Sequence, residues 1–227
     1  MTKKPEFLLA LDVSTSTIGI ALFEDLGDKG KLVFLTHVSP KVKPQPENKM
    51  EELFRKVEIF EQEFLLAPND KLGVKLKDLN ITRVVIEEPL LQSNNVYTIA
   101  TLIRFNGLIS KSVYDSLGIV AEFITSYDAR KYAFPELMAV RRFNKKGEPL
   151  DEKTIAKGKP VLFGAYDFDV DKKYVLWEKV AELEPQITWF YDKKNKLKKE
   201  TFDASDAYVA ARGYMNKIEA WKIEASK

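Results

Sequence analysis

The first 40 residues alternate apolar runs with polar turns. One apolar run ends at Asp12, a second extends from Ile18 to Phe23, and a third, KLVFLTHV, follows the glycine-containing turn LGDKGK. Short apolar runs that are joined by such turns are typical of antiparallel strands connected as hairpins. The pattern therefore predicts a three-stranded antiparallel meander at the start of the chain.

Helical and strand-like patterns follow the meander. Apolar residues recur at helical spacing from Met50 to Phe64, whereas ITRVVIEEPLL is rich in β-branched residues and stops at Pro89, as a short strand does. A helix is predicted near 95–117, and GIVAEFITSY has the composition of a fifth strand. This order predicts an α/β fold with a five-stranded mixed sheet, whose first three strands are antiparallel and whose faces carry helices.

The helix near 95–117 has two apolar faces. One face can pack on the sheet, and the other would need a neighbouring helix or a second subunit, unless the helix is wholly buried. The first face holds Val96, Ile99, Ile103 and Gly107, and the second holds Leu102, Phe105, Ile109 and Val113.

The sequence pattern of the C-terminal third predicts further helices. DVDKKYVLWEKVAEL and DASDAYVAARGYMNKIEAW have helical patterns, and ITWFYDKKNKLKKETF between them has the pattern of a hairpin. The basic, proline-containing stretch 134–162 is predicted to be an insertion or a mobile loop. We expect one domain over 1–227 that carries this insertion, since 227 residues can bury one sizeable core.

Composition narrows the chemistry. The chain has no cysteine and one histidine, His37, which excludes disulfides, thiolate nucleophiles and multi-histidine metal sites. Catalysis would therefore depend on carboxylates, hydroxyls and lysines. The sequence contains neither an apolar stretch of the roughly 20 residues that span a bilayer nor a leader-like start, so we expect a cytoplasmic protein of a bacterium or of a virus-infected cell.

Positive charge is concentrated in two segments, although the net charge is only +2. Residues 130–160 hold nine Lys or Arg and four acids, and residues 192–200 hold five Lys and two acids. A solvated surface is the ordinary interpretation of such a run, and contact with nucleic acid is the alternative.

Four carboxylates occupy positions that call for a partner. Asp12 and Glu87 each end an apolar strand, where an unpaired carboxylate is unfavourable to bury, and Glu88 points to the opposite side by strand alternation. Asp203 and Asp206 are three apart on one helix face, with a helix cap as the alternative role for Asp203. Small residues nearby, such as Ala204 and Ala207, would let this helix lie close to a sheet. Carboxylate oxygens are the ligands that Mg²⁺ and Mn²⁺ prefer.

The motifs DVSTSTIGIAL, VVIEEPL and DASDAYVAA resemble, in that order, the RuvC family of Holliday junction resolvases in the ribonuclease H-like superfamily. The resemblance covers most of the chain except residues 134–162, whose length suggests a divergent viral or mobile-element member. It implies that Asp12, Glu87, Asp203 and Asp206 hold two Mg²⁺ ions, for which Mn²⁺ would substitute.

The resemblance has further implications. A catalytic lysine is expected near the start of the penultimate helix, with Lys172 as first candidate and Lys173 as second. Bacterial members of the family often place an aromatic wedge shortly after the strand glutamate, where this chain has Pro89, Leu90 and Leu91, so a leucine wedge is expected instead. A homodimer through the helix near 95–117 would nick two strands of a four-way DNA junction symmetrically. The expected DNA contacts are Arg130, Lys131, Arg141, Arg142, Lys145, Lys146, Lys172 and Lys173.

Other functions share parts of this pattern. A ribonuclease H-like nuclease for flaps, branched DNA, RNA–DNA hybrids or ribosomal RNA would use the same acids. DVSTSTIGIAL also resembles the first phosphate-binding hairpin of actin-like and sugar-kinase phosphotransferases, but no second hairpin of this kind is present. A nucleic-acid-binding module without catalysis would not need all four acids.

Overall fold

A five-stranded sheet forms the centre of the computed structural model, which describes residues 4–24, 30–45, 47–69, 74–89 and 95–226. Its strands are β1 Phe7–Val13, β2 Ile18–Glu24, β3 Lys31–Val38, β4 Ile81–Glu87 and β5 Glu122–Ile124, in the spatial order β3-β2-β1-β4-β5. The first three are antiparallel, β4 is parallel to β1, and β5 is parallel to β4. The mixed sheet and the antiparallel meander are confirmed, and this arrangement is that of a ribonuclease H-like fold.

The described residues form six α-helices. They are α1 Lys49–Phe60, α2 Val96–Leu117, α3 Ser126–Ala133, α4 Glu152–Lys157, α5 Lys172–Leu183 and α6 Lys199–Ala225. All but α4 contribute buried residues to the cores on the two faces of the sheet. A π-helical turn, Glu61–Leu65, continues α1, and a small hairpin of Pro68–Asn69 with Val74–Lys75 follows it. No helix in the described part of the chain is both long and apolar enough to cross a membrane.

The sheet is buried on both faces, which explains why its strands are nearly continuous apolar runs. Leu8 and Ala10 of β1 pack with α3, α5 and α6, whereas Leu9 and Leu11 pack with α1 and α2. Because side chains alternate along a strand, even-numbered residues of β1 point toward α6. Asp12 is therefore on the face that α6 covers.

Helix α6 lies directly on this face through small residues. Ala204, Ala207, Ala210 and Ala211 are fully buried. A Cβ at Gly19 of β2 would lie 2.0 Å from the backbone oxygen of Asp203, and a Cβ at Gly213 would lie 2.3 Å from that of Ala129 in α3. Helix α6 is thus in backbone contact with both the sheet and α3.

For three elements near the site, the bounds that the sequence predicts are wrong. The fifth strand has only three residues, because Gly118 ends α2 in the left-handed conformation and Thr125 caps α3, which the sequence interpretation missed. The last helix begins at Lys199 rather than at Asp203, so Asp203 lies in its second turn and does not cap it. The predicted hairpin before it is reduced to a tight turn with one bridge, Tyr191 with Leu197.

The basic stretch 134–162 contains regular structure and is not an irregular loop, whereas its interpretation as an insertion stays a prediction. Met138–Val140 pairs with Pro160–Leu162 in a short antiparallel hairpin. The segment of chain that connects these two strands contains α4, whose N-cap is Asp151. Phe163, directly after the hairpin, is buried in the main core.

The two-faced character of α2 is present in the structure. Phe105, Ile109 and Val113 are fully buried against the sheet, whereas Val96 and Ile103 are 74% and 47% exposed.

Replacement of Gly19 by alanine should destabilise the protein. The new methyl group would force α6 away from β2, and such overpacking costs about 1–3 kcal/mol in free energy of unfolding. Urea denaturation measures the change. Glu178→Ala, at an exposed position of α5, is the control and should change the free energy of unfolding by less than about 0.5 kcal/mol. Equal stability of Gly19→Ala and the unaltered protein would contradict the proposed contact.

Candidate active site

The carboxylates of Asp12 and Glu87 are brought together by neighbouring parallel strands. Leu11 of β1 pairs with Ile86 of β4, so the next residue on each strand lies at the same edge of the sheet. Glu87 and the buried Val85 share the face of β4 that α6 covers.

Helix α6 adds the other two carboxylates. Asp203 and Asp206 are both buried and lie one turn apart on the helix side that contacts the sheet. Asp12 is the pairing partner of Gly19, and Gly19 is the residue against which the backbone of Asp203 rests. The four predicted acids therefore lie together, and their role as metal ligands stays a prediction.

The electrostatics of the cluster reflect this crowding. Burial raises the pKa of Asp12 well above its ordinary value, and the charges of Glu87, Asp206 and Asp203 raise it further. Burial and then the charge of Asp206 raise the pKa of Glu87 to about 7, although Arg130 and Ser126 act in the opposite direction. Burial also raises the pKa of Asp203, against the effect of Lys173 and Lys199. The cluster therefore carries negative charge that the surrounding side chains only partly compensate.

Lys173 is the cation that lies between two of the acids, Asp203 and Asp206. Its Nζ lies 3.5 Å from Oδ1 of Asp203 and 3.3 Å from Oδ2 of Asp206. Desolvation would lower the pKa of Lys173, but the charges of Asp206, Asp203 and Asp12 outweigh it and raise that pKa. The structure thus places Lys173, the second candidate of the sequence interpretation, at the acids. Lys172 lies over the ring of Phe163 instead, 5.9 Å from its centroid.

Helix α3 contributes two side chains that contact the acids and that the sequence does not predict to lie there. Ser126 Oγ donates a hydrogen bond to Oε1 of Glu87, and Nη2 of Arg130, one turn later, lies 3.7 Å from Oδ1 of Asp206. The sequence predicts Arg130 only as a DNA contact. The signal for this helix was TSYD, a serine or threonine followed three residues later by an acid, which typically begins a helix. Thr125 Oγ1 does accept from the backbone N–H of Asp128.

Helix α3 is fastened to α6 along its length. Lys217 Nζ lies 2.7 Å from Oδ2 of Asp128, and Asn216 Nδ2 donates to the backbone oxygen of Tyr132 at 2.8 Å. The close approach of Gly213 to Ala129 lies about one helical turn before these contacts on α6. These contacts fix Ser126 and Arg130 relative to Asp206.

Two carboxylate oxygens in the cluster are buried without a hydrogen-bond partner, namely Oε2 of Glu87 and Oδ2 of Asp203. Buried polar atoms are normally satisfied, so each needs a partner. Among the described residues, no three acidic or imidazole groups already form a ready-made metal site. The oxygen-only donors, the unsatisfied oxygens and the excess negative charge fit hard divalent cations, which Asp12, Glu87, Asp203 and Asp206 could hold.

The remaining predicted DNA contacts lie against aromatic rings or are exposed. Lys131 Nζ lies 5.1 Å from the ring centroid of Tyr132, and the guanidinium of Arg141 lies 5.3 Å from that of Phe168. Arg142, Lys145 and Lys146 are exposed. They lie in or directly before the turn whose two ends are joined by the antiparallel bridge between Phe143 and Pro149. The predicted wedge residues Leu90 and Leu91 lie outside the described residues.

No family model matches this chain, and no curated protein sequence matches it. Among solved structures, RuvC of Thermus thermophilus in complex with a Holliday junction substrate is similar over 92% of this chain and 94% of its own, at 12% identity and a TM-score of 0.46. The yeast mitochondrial Holliday junction resolvase Ydc2 is similar over 94% and 79%, at 10% identity and a TM-score of 0.48. A Ppx/GppA phosphatase of Aquifex aeolicus is similar over 62% and 46%, at 14% identity and a TM-score of 0.34. Likeness at this level assigns neither a family nor an activity.

Replacement of Glu87 by glutamine should stabilise the metal-free protein at pH 8. The folded-state pKa of about 7 lies above the ordinary 4.5, so ionisation of Glu87 opposes folding increasingly as pH rises from about 4.5 to 7. The amide oxygen can still accept from Ser126. We expect a gain on the order of 2 kcal/mol at pH 8 and almost none at pH 4, measured by urea denaturation in EDTA.

The control for this measurement is the neighbouring exposed carboxylate, in the variant Glu88→Gln, which should change stability little at either pH. A loss of stability in Glu87→Gln at pH 8 would show that the Glu87 charge is favourably compensated in the folded protein.

Proposed function

We propose that this protein is a metal-dependent endonuclease that cuts four-way DNA junctions. The observation that carries the proposal is the convergence of Asp12, Glu87, Asp203 and Asp206 from two strands and one helix into a buried cluster with unsatisfied oxygens. The resemblance of the motifs around these residues to RuvC resolvases supports the choice of substrate.

The four acids would hold two Mg²⁺ ions, with Mn²⁺ as a substitute. When bound, a pair of such ions supplies the charge that activates a water molecule and stabilises the leaving oxygen of a phosphodiester. This chemistry needs no cysteine or histidine, in keeping with a chain that has no cysteine and a single histidine.

Side chains around the acids have roles of their own. Ser126 orients Glu87 through its hydrogen bond, and Arg130 restrains Asp206. Lys173, which we choose over Lys172, offsets charge between Asp203 and Asp206 and would turn its ammonium group to the scissile phosphate once cations bind these acids. Because three donors on α3 and α5 surround the acids, the cluster is held in position before substrate arrives.

The basic residues beyond the site would hold the sugar-phosphate backbone without sequence preference. Arg142, Lys145 and Lys146 are exposed and suited to this role, whereas Lys131 and Arg141 lie against aromatic rings and would contribute positive charge near the surface. Leu90 and Leu91 remain the proposed wedge at the junction centre.

A second copy of the chain would complete the enzyme, since paired nicks on two strands need two active sites. The exposed side of α2 presents Ile103, Gly107 and Tyr114 along one stripe, at intervals of four and seven residues. A glycine in the middle of that stripe leaves room for close approach of a second helix. We propose that the two protomers pair through this face.

Cleavage of branched DNA should depend on both the metal and the acids. We expect labelled four-way junction to be cut with Mg²⁺ or Mn²⁺ and not in EDTA, with flap, linear duplex and RNA–DNA hybrid as competitors. Asp12→Asn and Asp206→Asn should each lower the cutting rate by at least about 100-fold while junction binding persists. Asp78→Asn, at an exposed position on another part of the chain, is the matched control and should cut normally.

Each alternative predicts a different result in the same experiment. Preferential cutting of flaps or hybrids would support another ribonuclease H-like nuclease, and equal cutting of linear duplex would contradict junction specificity. Unchanged turnover in either acid variant would refute the proposed site.

The dimer proposal predicts that Ile103→Glu gives a monomer. A charge at this 47% exposed position would be unfavourable to bury between two copies of α2. Light scattering after size-exclusion chromatography measures the mass. Ile223→Glu, at a 51% exposed isoleucine near the end of α6, is the control and should remain a dimer. A monomeric unaltered protein, or a dimeric Ile103→Glu, would exclude this interface.

A further inference from the structure

An open groove adjoins the acidic cluster on the side of Asp12. It is formed by turn residues 14–16, Lys49, the first two turns of α2 and Lys199, and we call it the turn groove. Its volume is about 440 Å³, within the roughly 300–1,000 Å³ of typical small-ligand sites. A groove of this size accommodates a nucleotide unit.

The turn that forms one wall is held firmly. Ser14 Oγ donates to the backbone oxygen of Thr17 at 2.9 Å and accepts from the N–H of Thr17 at 3.1 Å. Lys56 Nζ donates to the backbone oxygen of Thr15 at 2.9 Å, and Asn106 Nδ2 of α2 donates to that of Val13 at 3.3 Å. The groove is therefore a preformed feature of the fold.

The turn groove and the acidic cluster share structural elements. Ser14 is two residues after Asp12, and Lys199 is one helical turn before Asp203 on α6. Lys199 Nζ donates to Oγ of Ser16 at 3.0 Å and so joins the two walls. A chain molecule with one phosphate at the acids would have its neighbouring units in this groove.

The chemistry of the lining suits a phosphodiester backbone. The lining residues Ser16, Thr98 and Lys199 carry hydroxyl and ammonium groups that can reach a phosphate oxygen. The hydroxyls of Ser14 and Thr101, which also line the groove, donate to backbone oxygens, and Lys49 forms an ion pair with Glu52. Hydroxyls and lysines are common donors to phosphate oxygens. No acidic side chain is among the described residues that line it.

A run of exposed lysines leads into the groove. Lys193, Lys194, Lys196 and Lys198 are all exposed, and within the described part of the chain none of them forms an ion pair with a carboxylate. The one acid in this turn, Asp192, accepts instead from the backbone N–H groups of Lys194 and Lys196. This excess of positive charge ends at Lys199, on the wall of the groove.

Tyr97 adds an aromatic surface at the same place. Its side chain lines the groove and yet the residue is 86% exposed. It lies one residue after Val96, hence about 100° around α2 from the stripe of Ile103 and Tyr114, so the proposed dimer face does not cover it. An exposed aromatic ring beside a basic groove is the usual arrangement for stacking an unpaired base.

We infer that the turn groove binds the DNA strand next to the cut phosphate, and that Tyr97 stacks on an unpaired base of that strand. The inference rests on the proposed nuclease function and adds the part of the substrate that the acids do not contact. Only a base that is free of duplex stacking can reach Tyr97, so the groove would favour branched over linear DNA.

The test uses the full-length protein in EDTA, where binding is measured without cutting. Junctions carry 2-aminopurine at successive positions beside the branch point, and fluorescence anisotropy gives the dissociation constant. We expect Tyr97→Ala to bind the junction about 5- to 100-fold more weakly and to lose the 2-aminopurine quenching, with linear duplex binding unchanged. Tyr97→Phe should retain both properties, because it keeps the ring.

Controls lie at the far end of α6. Trp221 is 55% exposed there, and Trp221→Ala should bind as the unaltered protein does. The pair Lys196→Gln and Lys198→Gln should reduce the slope of log affinity against log salt by about 1 to 2, whereas Lys222→Gln should not.

The outcomes separate this inference from the proposed function. Normal junction binding and quenching in Tyr97→Ala, with cutting intact, would overturn the inference alone. Conversion of the dimer to a monomer by Tyr97→Ala would also overturn it, since Tyr97 would then be a subunit contact. Failure of the unaltered protein to bind any DNA would overturn both.

Discussion

The backbone of Asp203 rests against Gly19, at a point where β2 has no side chain to separate the helix from the sheet. Gly19 pairs with Asp12 across the two strands, so this single contact sets the distance between the acid on β1 and the acids on α6. The parallel pairing of β1 with β4 then adds Glu87. Because one contact and two strand pairs fix all four acids, their positions depend little on the loops around them.

Gathering four acids in a buried place opposes folding, and the surrounding elements offset part of that effect. Lys173 approaches from α5, Arg130 and Ser126 from α3, and the large apolar cores on both faces of the sheet supply the remaining stability. Functional sites commonly retain such locally unfavourable charge. The raised pKa values of Asp12 and Glu87 therefore describe a cluster that bound cations would complete.

The sequence was sufficient for the sheet and for the proximity of the acids, because these depend on strand alternation, on parallel pairing and on small residues in α6. It was not sufficient for the lysine. Adjacent residues of a helix point about 100° apart, so the choice between Lys172 and Lys173 depends on how α5 is rotated, which packing of Val175 and Leu176 decides. Helix α3 was missed because eight residues are too short to show periodicity.

The contacts between α3 and α6 connect the site to residues that are distant from the acids along α6. Gly213 is ten residues beyond Asp203, hence about 15 Å along the helix, yet it sets the separation of the two helices. Helix α3 in turn carries both the hydroxyl that orients Glu87 and the guanidinium beside Asp206. A bulkier side chain at position 213 would thus tilt α3 and move two groups of the cluster at once, so sequence variation remote from the acids can alter their arrangement while every acid is retained.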